Sequence, residues 1–203
     1  MPVCRTPARG TGGAGAGGGS GTGRLVSQQF RMVTTTAGAT VSQIVVTKTG
    51  AATVSANGAR LFADVNGNGT FESGTDTAVG TAVSFAADNT ATFGGLSESV
   101  NTTGTNYLVV VDIDNTATTD GQTLTTQLTG VTASIGVNNA STVSRTLSMD
   151  KTLPASAITT TSPYTAGADN TSPMTLDGTA SDGGSNPSGL NRVDVSIQRS
   201  SDS

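Results

Sequence analysis

The run Tyr107-Leu108-Val109-Val110-Val111-Asp112-Ile113 is the most apolar in the chain, and polar turn residues bound it on both sides. A near-continuous apolar run of this length reads as a central strand covered on both faces. Such a strand needs neighbours in its own sheet and a second layer against it. The surrounding sequence supplies short segments of matching character. Val26, Phe30 and Met32 fall on one parity, with Gln29 and Arg31 on the other. Val41–Thr47 and Ala59–Ala63 follow. Ala78–Phe85 and Thr90–Phe93 flank the turn residues Asp88-Asn89, and Val83 and Phe85 opposite Ala91 and Phe93 predict a hairpin face. Gln122–Leu128, Val131–Ile135 and Val143–Met149 complete the set, with Arg145 breaking the alternation of the last. This spacing predicts an all-β chain, a Greek-key sandwich of about seven to nine strands.

Composition agrees with that reading. Aromatic residues are 3% and charged residues 12%, and there is no Trp and no His. Thr makes up roughly a sixth to a fifth of the chain, far above ordinary usage, and its β-branch suits a half-wet pleated surface. The net charge of −4 and the lack of a basic patch argue against nucleic acid as a partner. Cys4 is the single cysteine, so no intrachain disulfide can form. No apolar run is long enough for a membrane helix, which implies no membrane insertion in this segment. The first residues carry Arg5 and Arg9 but no apolar stretch after them. If the protein is exported, its export signal is not in this chain.

Residues 1–23 are Gly-rich and bury too little side chain to offset the entropy of ordering, so a disordered tail is expected there. A phosphate-binding loop is the sharper alternative, but no strand precedes it and no Gly-Lys-Ser/Thr follows. Residues 24–149 form the expected sandwich. Asp150-Lys151-Thr152-Leu153-Pro154 reads as a boundary, because Pro154, Pro163, Pro173 and Pro187 all follow it. Residues 150–203 end in the strict alternation Val193, Val195, Ile197. Two strands cannot close a sandwich, so this segment is expected to be an incomplete second domain.

The chemically specific stretch is Asp64-Val65-Asn66-Gly67-Asn68-Gly69-Thr70-Phe71-Glu72, closed by Asp76. Oxygen-bearing side chains at alternate positions, with glycine after the third, match the first half of a calcium loop of EF-hand type. The expected ligands are Asp64, Asn66 and Asn68 through side chains, Thr70 through its carbonyl, and Glu72 directly or through water. Asp76 would close the site. The twelfth position is Thr75, so the closing carboxylate comes one residue late. With two neutral Asn ligands, a weak structural Ca2+ site is expected, on the order of 10⁻⁴ to 10⁻³ M. The plainer alternative is a polar β-turn, since Asn-Gly occurs twice and is a hairpin signal by itself. Asp112 and Asp114 share a face at strand spacing and, with Asp120, suggest a second cation site or simply the solvated end of a strand. Asp150 lies near the boundary, and Asp177 and Asp182 follow in the second segment.

Residues 61–94, from Leu61-Phe62-Ala63-Asp64 through Asp76-Thr77-Ala78-Val79-Gly80-Thr81 to Thr92-Phe93, resemble an Ig-like β-sandwich module found in large bacterial surface and secreted proteins. Asp177-Gly178-Thr179-Ala180-Ser181-Asp182 and Gly189–Ile197 resemble the opening strands of bacterial Ig-like or cadherin-like repeats. The resemblance implies an Ig-like fold and a spacer or adhesion role outside the cell or at its surface. It implies neighbouring Ig-like modules of the same chain as partners, with surface glycans or proteins as further candidates. It also implies interdomain calcium of the cadherin-like kind near Asp150, and no catalysis.

Enzyme readings lack parts. There is no His for acid–base work near neutral pH. The serines have no base partner. Glu72 and Asp76 could mimic a glycosidase pair, but they sit in the expected metal loop. The rival reading is a carbohydrate-binding β-sandwich of a secreted enzyme. Such modules stack sugars on aromatic rings, and the aromatic candidates are Tyr107, in a core-like strand, and Tyr164, in a Pro-flanked stretch.

Overall fold

The computed structural model describes residues 24–35, 38–159, 177–185, 187, 189–190 and 192–195. These residues contain strands and no helix. In chain order the strands are β1 (Arg24–Thr34), β2 (Ala39–Thr49), β3 (Val54–Ala63), β4 (Thr77–Ala78), β5 (Thr90–Val100) and β6 (Thr105–Ile113). There follow β7 (Thr123–Ala133), β8 (Val137–Ser144), β9 (Leu147–Ser148), β10 (Ala155–Ile158) and β11 (Gly178–Ser181).

Two antiparallel sheets form a sandwich. One runs β4-β3-β6-β1-β8 and the other β5-β2-β7-β9. Their facing sides share one core, in which Phe30, Met32, Leu61, Tyr107, Val109 and Val111 of the first sheet meet Val41, Ile44, Val46, Phe93 and Leu124 of the second. Tyr107 stacks on Phe30 with ring centroids 5.4 Å apart. The apolar run of β6 is explained by its position. Tyr107, Val109 and Val111 point into the sandwich, while Leu108 and Val110 lie on the outer face in a smaller cluster with Phe62. The outer face of this sheet is therefore also covered, and that covering is what the functional site is built on.

Several local expectations are corrected. Val26 does not share a face with Phe30 and Met32: the ladder to β6 slips between Val26 and Gln28, and Val26 joins the outer cluster. A bulge inserts one unpaired residue and resets the alternation after it. That residue is Ser27. Its hydroxyl donates to the Val109 carbonyl and accepts from Thr126 across the sandwich at 2.7 Å. Gln28 is also fully buried. The hairpin expected between Ala78–Phe85 and Thr90–Phe93 does not form. Residues 77–83 pair with β3, whereas β5 pairs with β2 in the other sheet, so the chain crosses between sheets around Asp88-Asn89. Residues 122–135 contain one strand rather than two, with an irregularity opposite Val45 and Val46. The Val143–Met149 strand is instead a sheet switch, with β8 ending at Ser144 beside β1 and β9 resuming beside β7. Arg145 sits at that switch, which accounts for its poor fit to either alternation.

β10 and β11 form a separate two-stranded sheet. Val193 and Val195 are exposed and lie in no strand. Ile197, the 1–23 tail and Tyr164 lie outside the described residues.

Candidate functional site: the Asp64–Asp76 loop on the outer sheet face

β3 places Arg60 and Phe62 on the outer face, and Asp64 continues that alternation one step past the strand. Its N–H donates to the Asn106 carbonyl at 2.9 Å, which extends the β3–β6 ladder by one rung. Asp64 is 4% exposed, so its carboxylate must be satisfied by the protein. The loop does this by curling over it. The N–H of Gly67 donates to Oδ1 at 2.8 Å and that of Gly69 to Oδ2 at 2.9 Å. Gln29, on β1, adds its side-chain N–H to Oδ2 at 3.2 Å.

The turns repeat along the loop. The N–H of Asn68 donates to Asn66 Oδ1 at 3.2 Å, and the N–H of Thr70 donates to Asn68 Oδ1 at 2.8 Å. Each is a side chain satisfying the backbone two residues on. Gly67 and Gly69 take φ of +71° and +72°, a region that favours glycine. A Cβ at Gly69 would also stand 2.6 Å from Gln29 Oε1. The alternating Asn-Gly pattern is thus the condition for the coil. Asn66 Nδ2 then donates to Glu72 Oε2 at 2.6 Å, tying the middle of the loop to its end.

Asp76 closes the turn although it comes one residue late. The N–H groups of Thr75 and Asp76 both donate to the Glu72 carbonyl, and Gly74, at φ +98°, absorbs the extra residue. The Asp76 carboxylate then takes the N–H of Glu72 at 2.8 Å and that of Val65 at 3.4 Å. Asp64 and Asp76 therefore both accept backbone N–H groups of the loop. The oxygens of Asp64, Asn66, Asn68, Glu72 and Asp76 all have hydrogen-bond roles within the loop or its support. Among the described residues, no group of three or more His, Cys, Asp or Glu is close enough to hold a metal ion by carboxylate, imidazole or thiolate ligands alone. A cation here would draw on Asn and carbonyl oxygens beside the carboxylates. Hard cations such as Ca2+ take such ligands readily, so the donor set fits calcium chemically.

The sequence pattern did not reveal how the loop is anchored. Phe71 packs on Phe62 with ring centroids 4.5 Å apart, and it covers the outer cluster of Phe62, Leu108 and Val110. The Arg24 guanidinium lies 5.7 Å from the Phe71 ring centroid, a cation–π distance. Arg145, at the sheet switch, donates to the Gly69 carbonyl at 3.1 Å. β1 and the β8–β9 switch thus hold the loop alongside β3. Phe71 could have been singled out as the one aromatic residue inside a polar loop. Gln29 and Arg145 carried no local signal.

The other acidic residues have separate roles. Asp112 is not a solvated strand end. It is 5% exposed and forms an ion pair with Arg60, with Arg24 Nε at 3.9 Å from its other oxygen. Asp114 accepts from the N–H and hydroxyl of Thr116 and from the N–H of Ala117, and the Thr116 hydroxyl first of all holds its carboxyl below the usual range. Asp120 accepts from the N–H of Lys151 and from the N–H of Ser185, which ties the residues after β9 to the β6–β7 loop. Asp150 is buried and accepts from the N–H of Thr152. Asp182 accepts from the N–H of Gly189.

No protein-family model matches the chain, and no match is found among curated proteins or solved structures.

Proposed function

We propose that the chain is a non-catalytic structural or adhesive module of a larger exported bacterial surface protein, and that Ca2+ stiffens the Asp64–Asp76 loop. The observation that carries this reading is the reach of Asp76 back to the N–H of Val65, which brings a second carboxylate to the loop that Asp64 organises. The ligand set of the proposal is Asp64, Asn66, Asn68, Thr70, Glu72 and Asp76. The pairing of β2 with β5 in one sheet and of β3 with β6 in the other supports an Ig-like arrangement. The loop has strands rather than helices at its ends, so it cannot open a groove as sensor EF-hands do. It suits a clip that fixes the outer face of one sheet. Tyr107 is fully buried against Phe30 and offers no platform for a sugar ring, which weakens the carbohydrate-binding alternative in its stacking form.

The deciding experiment is thermal unfolding with millimolar Ca2+ and with chelator. Calcium raises the melting temperature of the wild type and leaves Asp64→Ala unmoved. An identical wild-type melt in both buffers refutes the calcium clip.

A further inference from the structure

A cavity of about 270 Å³ opens on the outer face beside the loop, and its making is visible in the ladder. The N–H of Val79 donates to the Leu61 carbonyl, and Val83 exchanges both backbone hydrogen bonds with Ala59. Between these rungs, Gly80, Thr81 and Ala82 stand opposite Arg60 alone. The edge strand must bulge outward to fit them. Gly80 makes the bulge possible, with φ of +70° and no room for a Cβ, which would lie 2.6 Å from Leu96 Cδ2. The lifted segment leaves a hollow lined by Arg24, Arg60, Phe62 and the bulged residues Gly80–Ala82, while the Leu61 and Val79 side chains belong to the core between the sheets. Bulges at sheet edges commonly re-aim groups toward a ligand.

The charge in this hollow is unbalanced. Two guanidinium groups face one carboxylate, that of Asp112, and no carboxylate lines the cavity. A guanidinium carries five N–H donors. Arg60 commits one nitrogen to Asp112, and Arg24 stands at 3.9 Å, too far for a hydrogen bond. Among the described residues, no other oxygen acceptor meets either group, and the Arg24 guanidinium otherwise lies over the Phe71 ring. The local sign is thus opposite to that of the chain as a whole, whose net charge is −4.

The geometry points to a binding site for a compact carboxylate, held by Arg24 and Arg60 beside the Gly80–Ala82 bulge. The cavity lies just below the usual range for drug-sized ligands, roughly 300–1,000 Å³, which suits a compact one. The inference is independent of calcium in the neighbouring loop.

Two probes separate the sources of such a carboxylate: glucuronate for a sugar acid and benzoate for an aromatic acid, with methyl glucoside as the neutral control. Each is titrated into the ¹⁵N-labelled protein in chelator, so that a negative result cannot be confused with failure of the calcium clip. Saturable shifts at Thr81, Arg24 and Arg60 with either acid support the site, and the tighter acid identifies the ligand class. Arg24→Gln weakens that acid at least tenfold, whereas Phe71→Leu, which disturbs the Arg24 stacking but keeps both guanidinium groups, leaves it bound. The double variant Arg60→Gln/Asp112→Asn, which leaves no orphaned charge, weakens it likewise. The proposal is overturned by absence of saturable shifts, by equal binding of methyl glucoside, or by full affinity in both arginine variants.

Discussion

Phe71 rests on Phe62 at a centroid distance of 4.5 Å, so the one aromatic residue of a polar loop is what seats it on the sheet. Asp64 supplies the hydrogen-bonded hub, and Phe71 supplies the apolar contact. Removing Phe71 should therefore damage the loop and the outer cluster together. Phe71→Ala is expected to lower unfolding stability by about 1–3 kcal/mol, less than a fully buried Phe→Ala because the ring is only partly covered. Chemical denaturation measures this. Phe71→Leu should restore most of the loss, and a Leu variant as weak as Ala would show that packing is not what seats the loop.

Calcium should stabilise the fold with the logarithm of its concentration above Kd. At a tenfold excess over Kd, binding to the folded state alone adds about 1.4 kcal/mol. Asp76→Ala should reduce the effect, and Asp64→Ala should remove it and also cost stability without calcium. That second loss arises because the N–H groups of Gly67 and Gly69 lose their acceptor. Calorimetry at several calcium concentrations separates the two contributions.

The Arg60–Asp112 pair should be asymmetric to mutation. Asp112 is 5% exposed, so Arg60→Ala leaves an almost buried carboxylate with only the distant Arg24. A loss of about 2–4 kcal/mol is expected, toward the low end because Arg60 is partly exposed. Replacing both residues with apolar side chains of similar volume should recover much of it. A double variant no better than the single one would contradict the desolvation argument.

Acidification should weaken the connections between strands. The carboxyls of Asp88, Asp114 and Asp120 all lie below the ordinary 3.8. For Asp88 the main cause is the Thr90 hydroxyl, for Asp114 the Thr116 hydroxyl, and for Asp120 the N–H of Ser185. A carboxyl depressed on folding contributes stability that is complete above its unfolded pKa and lost as pH falls through the folded one. Melting temperature should therefore drop as pH falls below about 4. The triple variant with Asn at these three positions should show a shallower drop, and an unchanged slope would assign the acid sensitivity elsewhere.

The legible parts of this fold are those where local chemistry decides. The apolar run of β6 announced a strand covered twice, and the coil around Asp64 follows from where Asn and Gly alternate. The illegible parts are resets of phase. Ser27 is a small polar residue in a strand, and nothing near it says that Val26 and Phe30 will face opposite ways. Ser27 is satisfied by Thr126, a residue 99 positions away. Arg145 broke the alternation of its segment, which was a true sign of the sheet switch, but its bond to the Gly69 carbonyl depends on tertiary placement. The Arg24–Arg60 cavity was hidden for the same reason, since it exists only where Gly80–Ala82 fails to keep register with β3.

The placement of β1 has a consequence for the order in which the chain can fold. β1 lies between β6 and β8, and Ser27 takes its carbonyl partner from Val109, 82 residues further on. A chain made or threaded from its N-terminus therefore holds β1 unpaired until more than half of the sandwich has emerged. Long-range pairings of this kind pay loop-closure entropy before they gain contacts, and they fold slowly. β2 can pair with β5 before β6 emerges, and β3 closes a shorter loop to β6 than β1 does, which makes β1 the late wedge that joins β6 to β8. The loop over Phe62 can be completed only after that step, because Gln29 and Arg24 arrive with β1.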